Sequence, residues 1–227
     1  MKILGIETAT RFGSVALIDE ARLIAEYRVD FQMRQAERLL PLMDALFKEA
    51  HVPLSDINAI AVSIGPGSFT SLRVGLATAK GLAIGRELPL FPIPTLEAFA
   101  LPFCHSDRAI IPMMVSRKDE IYWAMFAKDG GRMHPDSVGT VESMLAVIRQ
   151  EEALFVGEGA LLHQDKIIKN FKGRPLFPSI GLHVPLAASV AQMGLVRLMN
   201  GETPSAEDIV PAYLHVLSPH KIPGKSL

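Results

Sequence analysis

The 227-residue sequence is 49% hydrophobic and 21% charged, with 17 Gly and 16 Pro spread along it, which excludes disordered, collagen-like and simple coiled-coil chains. Its 23 basic and 24 acidic residues leave a net charge of -1, so the molecule as a whole is no electrostatic trap for nucleic acid and an RNA role needs a local patch or a partner. No apolar run nears the roughly 20 residues of a membrane span, no secretory pattern is read at the N-terminus, and the single Cys104 excludes an internal disulfide and fits a reducing cytoplasm.

In chain order, Ile3–Ile6, Ser14–Ile18 and Leu23–Tyr27 are short apolar-rich runs separated by turn residues, the pattern of an antiparallel meander. From Glu37 the period changes: Leu39, Leu40, Leu42, Met43, Leu46 and Phe47 lie on one helical stripe, with Pro41 acceptable only near the first turn. Ala59–Ile64 is expected as a buried strand, Gly65-Pro66-Gly67 as a turn, and Phe69–Ile84 as a helix closed by Gly85, with Leu90–Ile93 returning as a strand. A helical stretch near Leu96–Phe103 follows. Ile110–Val115 and Ile121–Ala127 then pair across a turn, and Val141–Arg149 is an amphipathic helix. Leu154–Val156 reads as a strand and Leu161–Phe171 as a helix. The order of strands, helix, strand, helix therefore occurs twice, which predicts an α/β protein of two lobes, residues 1–103 and 104–185. The helix 186–200 is expected to pack back on the first lobe, and the Pro-rich tail 203–227 to be extended.

The most distinctive stretch is Gly65-Pro66-Gly67-Ser68-Phe69-Thr70. Gly65 and Gly67 permit close approach or unusual backbone angles, Ser68 or Thr70 can cap the helix, and free N–H groups there could hold an anion. An ordinary strand-to-helix turn is the competing reading. The loop lacks the Gly-Lys-Ser/Thr ending of a Walker motif. The seven histidines include no pair at i, i+4 spacing, so no metal site is expected and most histidines are placed on the surface or in loops. Cys104 has only His105 beside it and is read as an idle thiol.

These residues together resemble a family. Ile3–Thr10, Ala59–Gly75 and Lys80–Ala83, with Glu37–Pro41, Arg117–Tyr122 and Pro211–Leu214, are similar to the bacterial TsaB family, also called YeaZ, over nearly the whole chain. The resemblance implies the two-lobed actin-like fold of acetate kinase, sugar kinases and actin. It also implies a role in forming threonylcarbamoyladenosine in transfer RNA, as a non-catalytic subunit that pairs with and activates the catalytic TsaD subunit and works with TsaE. Glu7, Thr8 and Thr10, with Gly65, Gly67 and Ser68, would then be a vestigial nucleotide or phosphate site, with Gly157–Ala160 as a weaker opposing loop. No resident cofactor is expected, and a weakly held nucleotide is the one alternative. Glu7, Gln35, Ser71 and Val115 depart from the family's usual residues.

The helix pair carries the partner expectation. Arg38, Leu39, Leu42 and Leu46 on the first helix, with Leu72, Gly75, Leu76, Ala79 and Ala83 on the second, form an apolar and small-residue face on which another helix could pack closely. The resemblance implies that this face serves both a homodimer and the contact with TsaD. Packing inside the lobe is the competing reading. Transfer RNA contact is expected to be indirect, with Lys221 and Lys225 as a local alternative. An enzyme of the same fold, an ATP-dependent kinase or a metal-dependent peptidase, is the alternative function.

Overall fold

The computed structural model describes residues 1–31, 34–117 and 119–214. The expectations for His215, His220, Lys221, Lys225 and the rest of the tail, and for Lys118, lie outside them.

The chain opens with β1 (Lys2–Glu7), β2 (Phe12–Asp19) and β3 (Leu23–Asp30) in an antiparallel meander. The helix α1 (Gln35–Ala50) and the strand β4 (Ala59–Gly65) follow, and β4 inserts beside β1 in parallel register, Leu4 opposite Ile60. Helix α2 (Phe69–Arg86) and β5 (Leu90–Pro94) complete a first sheet of order β3-β2-β1-β4-β5. After the short α3 (Thr95–Ala100), the pattern repeats with β6 (Ala109–Arg117), β7 (Glu120–Phe126), β8 (Arg132–Gly139), α4 (Val141–Leu145), β9 (Glu152–Val156), α5 (Glu158–Leu162), α6 (Gln164–Asn170) and β10 (Arg174–Leu176). The second sheet has the order β10-β9-β6-β7-β8. In each lobe two antiparallel hairpins lead to parallel strands across helical connections, so the repeat read in the sequence is a repeat of topology.

Strand β1 is buried on both faces because each has a helical layer. One side packs with α1 and α2, where Leu39, Met43 and Leu46 are fully covered, a burial that contributes about 1.5–3 kcal/mol per side chain. On the other, α7 (Ala187–Met199) places Val190, Ala191 and Leu195 against Ile3, Ala61 and Phe91. Gly5 is required there because a Cβ would come within 2.2 Å of the Ala187 carbonyl oxygen. The N-terminus of α7 is tied to the sheet in trans: Ala187 N–H donates to Ser14 Oγ at 2.9 Å and Ala188 N–H to Glu26 Oε1 at 3.0 Å. These are N-caps supplied by strands, and Ser14→Ala is expected to cost about 1 kcal/mol in urea denaturation, whereas a variant as stable as the parent would show that the cap contributes nothing.

Several expected boundaries are corrected. Helix α1 begins at Gln35, so Pro41 lies in its second turn. Gly85 does not close α2, which runs to Arg86 and is capped by Glu87 in the left-handed region, φ 54°. The expected helix 141–149 is regular only to Leu145, and the expected helix 161–171 is two short helices that meet at His163. Strands β8 and β10 were not expected, because Arg132–Gly139 has little apolar alternation and Arg174–Leu176 is a three-residue edge strand. Among the described residues no helix is long and apolar enough to cross a membrane.

Candidate functional site: the interlobe cleft and the helix face

A cleft of about 390 Å³ lies between the lobes. Ala9, Thr10 and Arg11 of the β1–β2 turn and Pro66–Phe69 of the β4–α2 turn form its first wall, Arg117, Tyr122 and Glu158 its second, and Ala212–Leu214 its edge. The sheet geometry produces this gap, since the turns after the parallel central strands of both lobes open toward each other.

The expected site residues divide between the cleft and the core behind it. Thr10, Gly67 and Ser68 line the cleft. Glu7 and Thr8 do not. Both are fully buried behind it, where Thr8 Oγ1 donates to the Ser71 carbonyl at 3.0 Å and Thr8 N–H reaches Ser63 Oγ at 3.4 Å. Gly65 is also buried, and its φ of +122° is one a side chain rarely adopts. Its N–H donates to Thr95 Oγ1 at 3.0 Å, so the turn is held from the first residue of α3.

Glu7 Oε1 accepts the Ala9 N–H at 2.5 Å, while Oε2 has no hydrogen-bond partner. Removal from water dominates: burial pushes the Glu7 carboxyl up to about 7, against the opposing pull of Ala9 and Ser63. A nucleotide-site acid would have to face the cleft and hold a charge. Glu7 instead favours its neutral form over much of the acid range, inside the end of β1.

The N-terminus of α2 also differs from expectation. Ser68 occupies the cap position but makes no side-chain cap bond; its hydroxyl instead accepts from Ser71 Oγ at 2.9 Å. Ser68 N–H donates to the Ala9 carbonyl at 2.8 Å, joining the two turns of the first wall. Gly67 allows this approach, because a Cβ there would come within 2.6 Å of the same oxygen. Across the cleft, Gly157 packs against the Met113 carbonyl with φ +107°. Burial pushes the Glu158 carboxyl up, opposed by the Val115 N–H and by Arg11. Arg11 itself pairs with Asp30.

The partner-face expectation needs the larger correction. Leu39, Leu46, Gly75, Leu76, Ala79 and Ala83 are buried inside the first lobe, and Leu72 is buried where the lobes meet, in one cluster with Phe99, Ile110 and Val156. Arg38 and Leu42 are partly covered, and Arg38 Nη1 donates to the Asp30 carbonyl at 2.9 Å. The small residues Gly75, Ala79 and Ala83 let α2 lie close on its own sheet, and a Cβ on Gly75 would stand 2.1 Å from Thr8 Oγ1. The residues α2 leaves outward are Ala77, Gly81, Ile84 and Gly85, while α1 leaves Leu40 and Pro41 exposed. Leu40 is 56% exposed and Ile84 58%.

Two further residues behave differently from their sequence context. His183 is buried, with Nδ1 accepting the Gly157 N–H at 3.0 Å and Nε2 donating to the Pro178 carbonyl at 3.0 Å. The imidazole therefore pins the α5 turn, a role that nothing in its sequence neighbours signals. Cys104 is partly buried, and burial, with Asp129 and Glu97 nearby, pushes its thiol up, away from the thiolate a nucleophile needs.

Two mixed five-stranded sheets with helical layers and a cleft between the lobes define the class of actin-like ATPase folds, shared here with the ethanolamine utilization protein EutJ from Carboxydothermus hydrogenoformans at a TM-score of 0.58 and 12% identity, over 84% of this chain and 89% of that one. YeaZ from Pseudomonas aeruginosa superposes with a TM-score of 0.78 at 26% identity, over 94% of this chain and 99% of its own. The tRNA threonylcarbamoyladenosine biosynthesis protein TsaB of Escherichia coli is 30% identical, over 99% of this chain and all of the relative, 100%. Its Bacillus subtilis counterpart is 26% identical over 95% of each chain. A family model described as TsaD, tRNA N6-adenosine threonylcarbamoyltransferase, matches residues 32–196. The chain belongs to the TsaB (YeaZ) family.

Proposed function

We propose that this chain serves tRNA threonylcarbamoyladenosine biosynthesis as a non-catalytic subunit that docks on a TsaD-type transferase and holds it in its active arrangement. The observation that carries this reading is that both helices leave apolar residues outward, Leu40 on α1 and Ile84 on α2, the latter with the small exposed residues Ala77, Gly81 and Gly85 on the same helix. Apolar residues around small ones let a second helix pair approach closely. A second copy of the chain would use the same face around a twofold axis, so homodimer and TsaD complex compete. A TsaE homologue joins as a further partner, and transfer RNA is reached through the assembly, consistent with the net charge of -1. The sealed position of Glu7 supports a scaffold over a kinase or peptidase, since the acid expected at a reacting phosphate is held behind the cleft. Activation requires that this face bind the active state of the transferase more tightly than its other states.

The test is reconstitution with cognate TsaD, TsaE, a threonylcarbamoyl adenylate source and transfer RNA. Omitting the chain is expected to abolish modification, and equal modification without it would defeat the proposal. Gly81→Arg should leave the fold intact, since Gly81 has open space around it, while disrupting both the homodimer and the TsaD complex on gel filtration. Ala79→Arg is unsuitable, because Ala79 is fully buried. Normal assembly by the Gly81 variant would move the interface elsewhere.

A further inference from the structure

We propose that the segment from Ile209 to Leu214 is a latch on the interlobe cleft, fixed at Ile209 and releasable at Tyr213, which holds the first wall of the cleft closed. The segment is anchored firmly at one end. Ile209 is 7% exposed in the core of the first lobe, and just before it Lys80 Nζ donates to the Glu207 carbonyl at 2.9 Å. Past Ile209 the chain emerges, with Val210 69% exposed. It then returns to the wall: Ala212 N–H donates to the Ile64 carbonyl at 2.8 Å, and the Ala212 carbonyl lies where a Cβ on Gly65 would come within 2.5 Å.

The segment is clamped at Tyr213 by side chains of α2. Tyr213 OH accepts from Arg73 Nε at 3.0 Å, its ring lies 5.0 Å from that of Phe69, and the Arg73 guanidinium sits 3.6 Å over the Phe69 ring. Phe69 and Tyr213 are 38% and 37% exposed, so each contact is individually weak and open to water. A segment with a buried anchor and a solvent-facing clasp opens locally while the domain stays folded. The clasp bears on the cleft because the β4–α2 turn is held at three points, by Ala212 at Ile64, by Thr95 at Gly65 and by Ala9 at Ser68. Losing the first loosens the strand end that the other two share.

Amide hydrogen exchange on the full chain tests the latch. Tyr213→Phe removes the hydroxyl alone and is expected to speed exchange at Ala212 about tenfold; Tyr213→Ala removes the ring as well and should speed it about a hundredfold. In the Ala variant the Ser68 amide should accelerate too, while amides of α1 and β6 keep their protection and report an intact fold. Acceleration confined to Ala212, with Ser68 protected as in the parent, would reduce the segment to a tail anchor and overturn the latch. Unchanged exchange at Ala212 would also overturn it. Should the Ala variant lose protection throughout, Arg73→Lys, which keeps the charge and loses the Nε donor, is read by the same two amides.

Discussion

Glu7→Gln is expected to make the protein more stable than its parent at neutral and alkaline pH and to flatten its pH dependence in the acid range. The folded carboxyl is pushed up to about 7 from an ordinary 4.5, so the folded state binds a proton that the unfolded chain releases. Stability from this group is complete below about pH 4.5, falls as pH rises toward 7, and is level above it. The interval corresponds to about 3 kcal/mol, a large share of the stability of a domain this size. Gln resembles the protonated acid and keeps an oxygen for the Ala9 N–H, so it avoids burying a charge beside the unpartnered Oε2. Urea denaturation of both proteins at about pH 4 and about pH 8 checks this. Curves that fall in parallel would show that Glu7 is not the titrating group.

Two glycines on one helix should respond in opposite directions to the same change. At Gly75 an added methyl meets Thr8 Oγ1 at 2.1 Å, within the contact through which Thr8 donates to the Ser71 carbonyl. Either α2 must lift from β1 or that bond must break, and overpacking of this kind costs about 1–3 kcal/mol. At Gly81 a Cβ meets nothing within 4 Å, so Ala contributes only its better helix propensity, about 0.5–1 kcal/mol of stabilisation. Thermal unfolding of Gly75→Ala and Gly81→Ala measures both. Stabilisation by Gly75→Ala together with destabilisation by Gly81→Ala would mean that the buried and outward faces of α2 are exchanged, and with them the partner face.

That face shows where sequence reasoning stopped. Helix α1 was legible because Leu39, Met43 and Leu46 recur at helical spacing among charged residues, so one side could only be the core. Helix α2 has Leu72, Val74, Leu76, Leu82 and Ile84 spread around it among Gly and Ala. The stripe of Leu72, Gly75, Leu76, Ala79 and Ala83 reads as one face, but with apolar residues on every side nothing in the sequence says that it turns inward, and only the fit of Gly75 against Thr8 and of Ala79 and Ala83 in the core decides it. Strand β8 was hidden for a related reason. Its backbone pairs with β7 while its side chains stay mostly half-exposed or exposed, so there is little alternation to read.

The sequence by itself determined the hairpin order, the buried strand β4, the repeat that makes two lobes and the Gly-Pro-Gly turn after β4, because turn residues and short-range periodicity act between neighbours along the chain. Tertiary structure alone decided that Glu7 is sealed behind the cleft while Thr10, itself buried, borders it, that His183 holds the α5 turn, and that Tyr213 reaches Arg73. Each of these depends on groups far apart in sequence whose polar atoms must find partners once water is excluded. Desolvation and long-range hydrogen bonding therefore assigned the roles that local pattern left open.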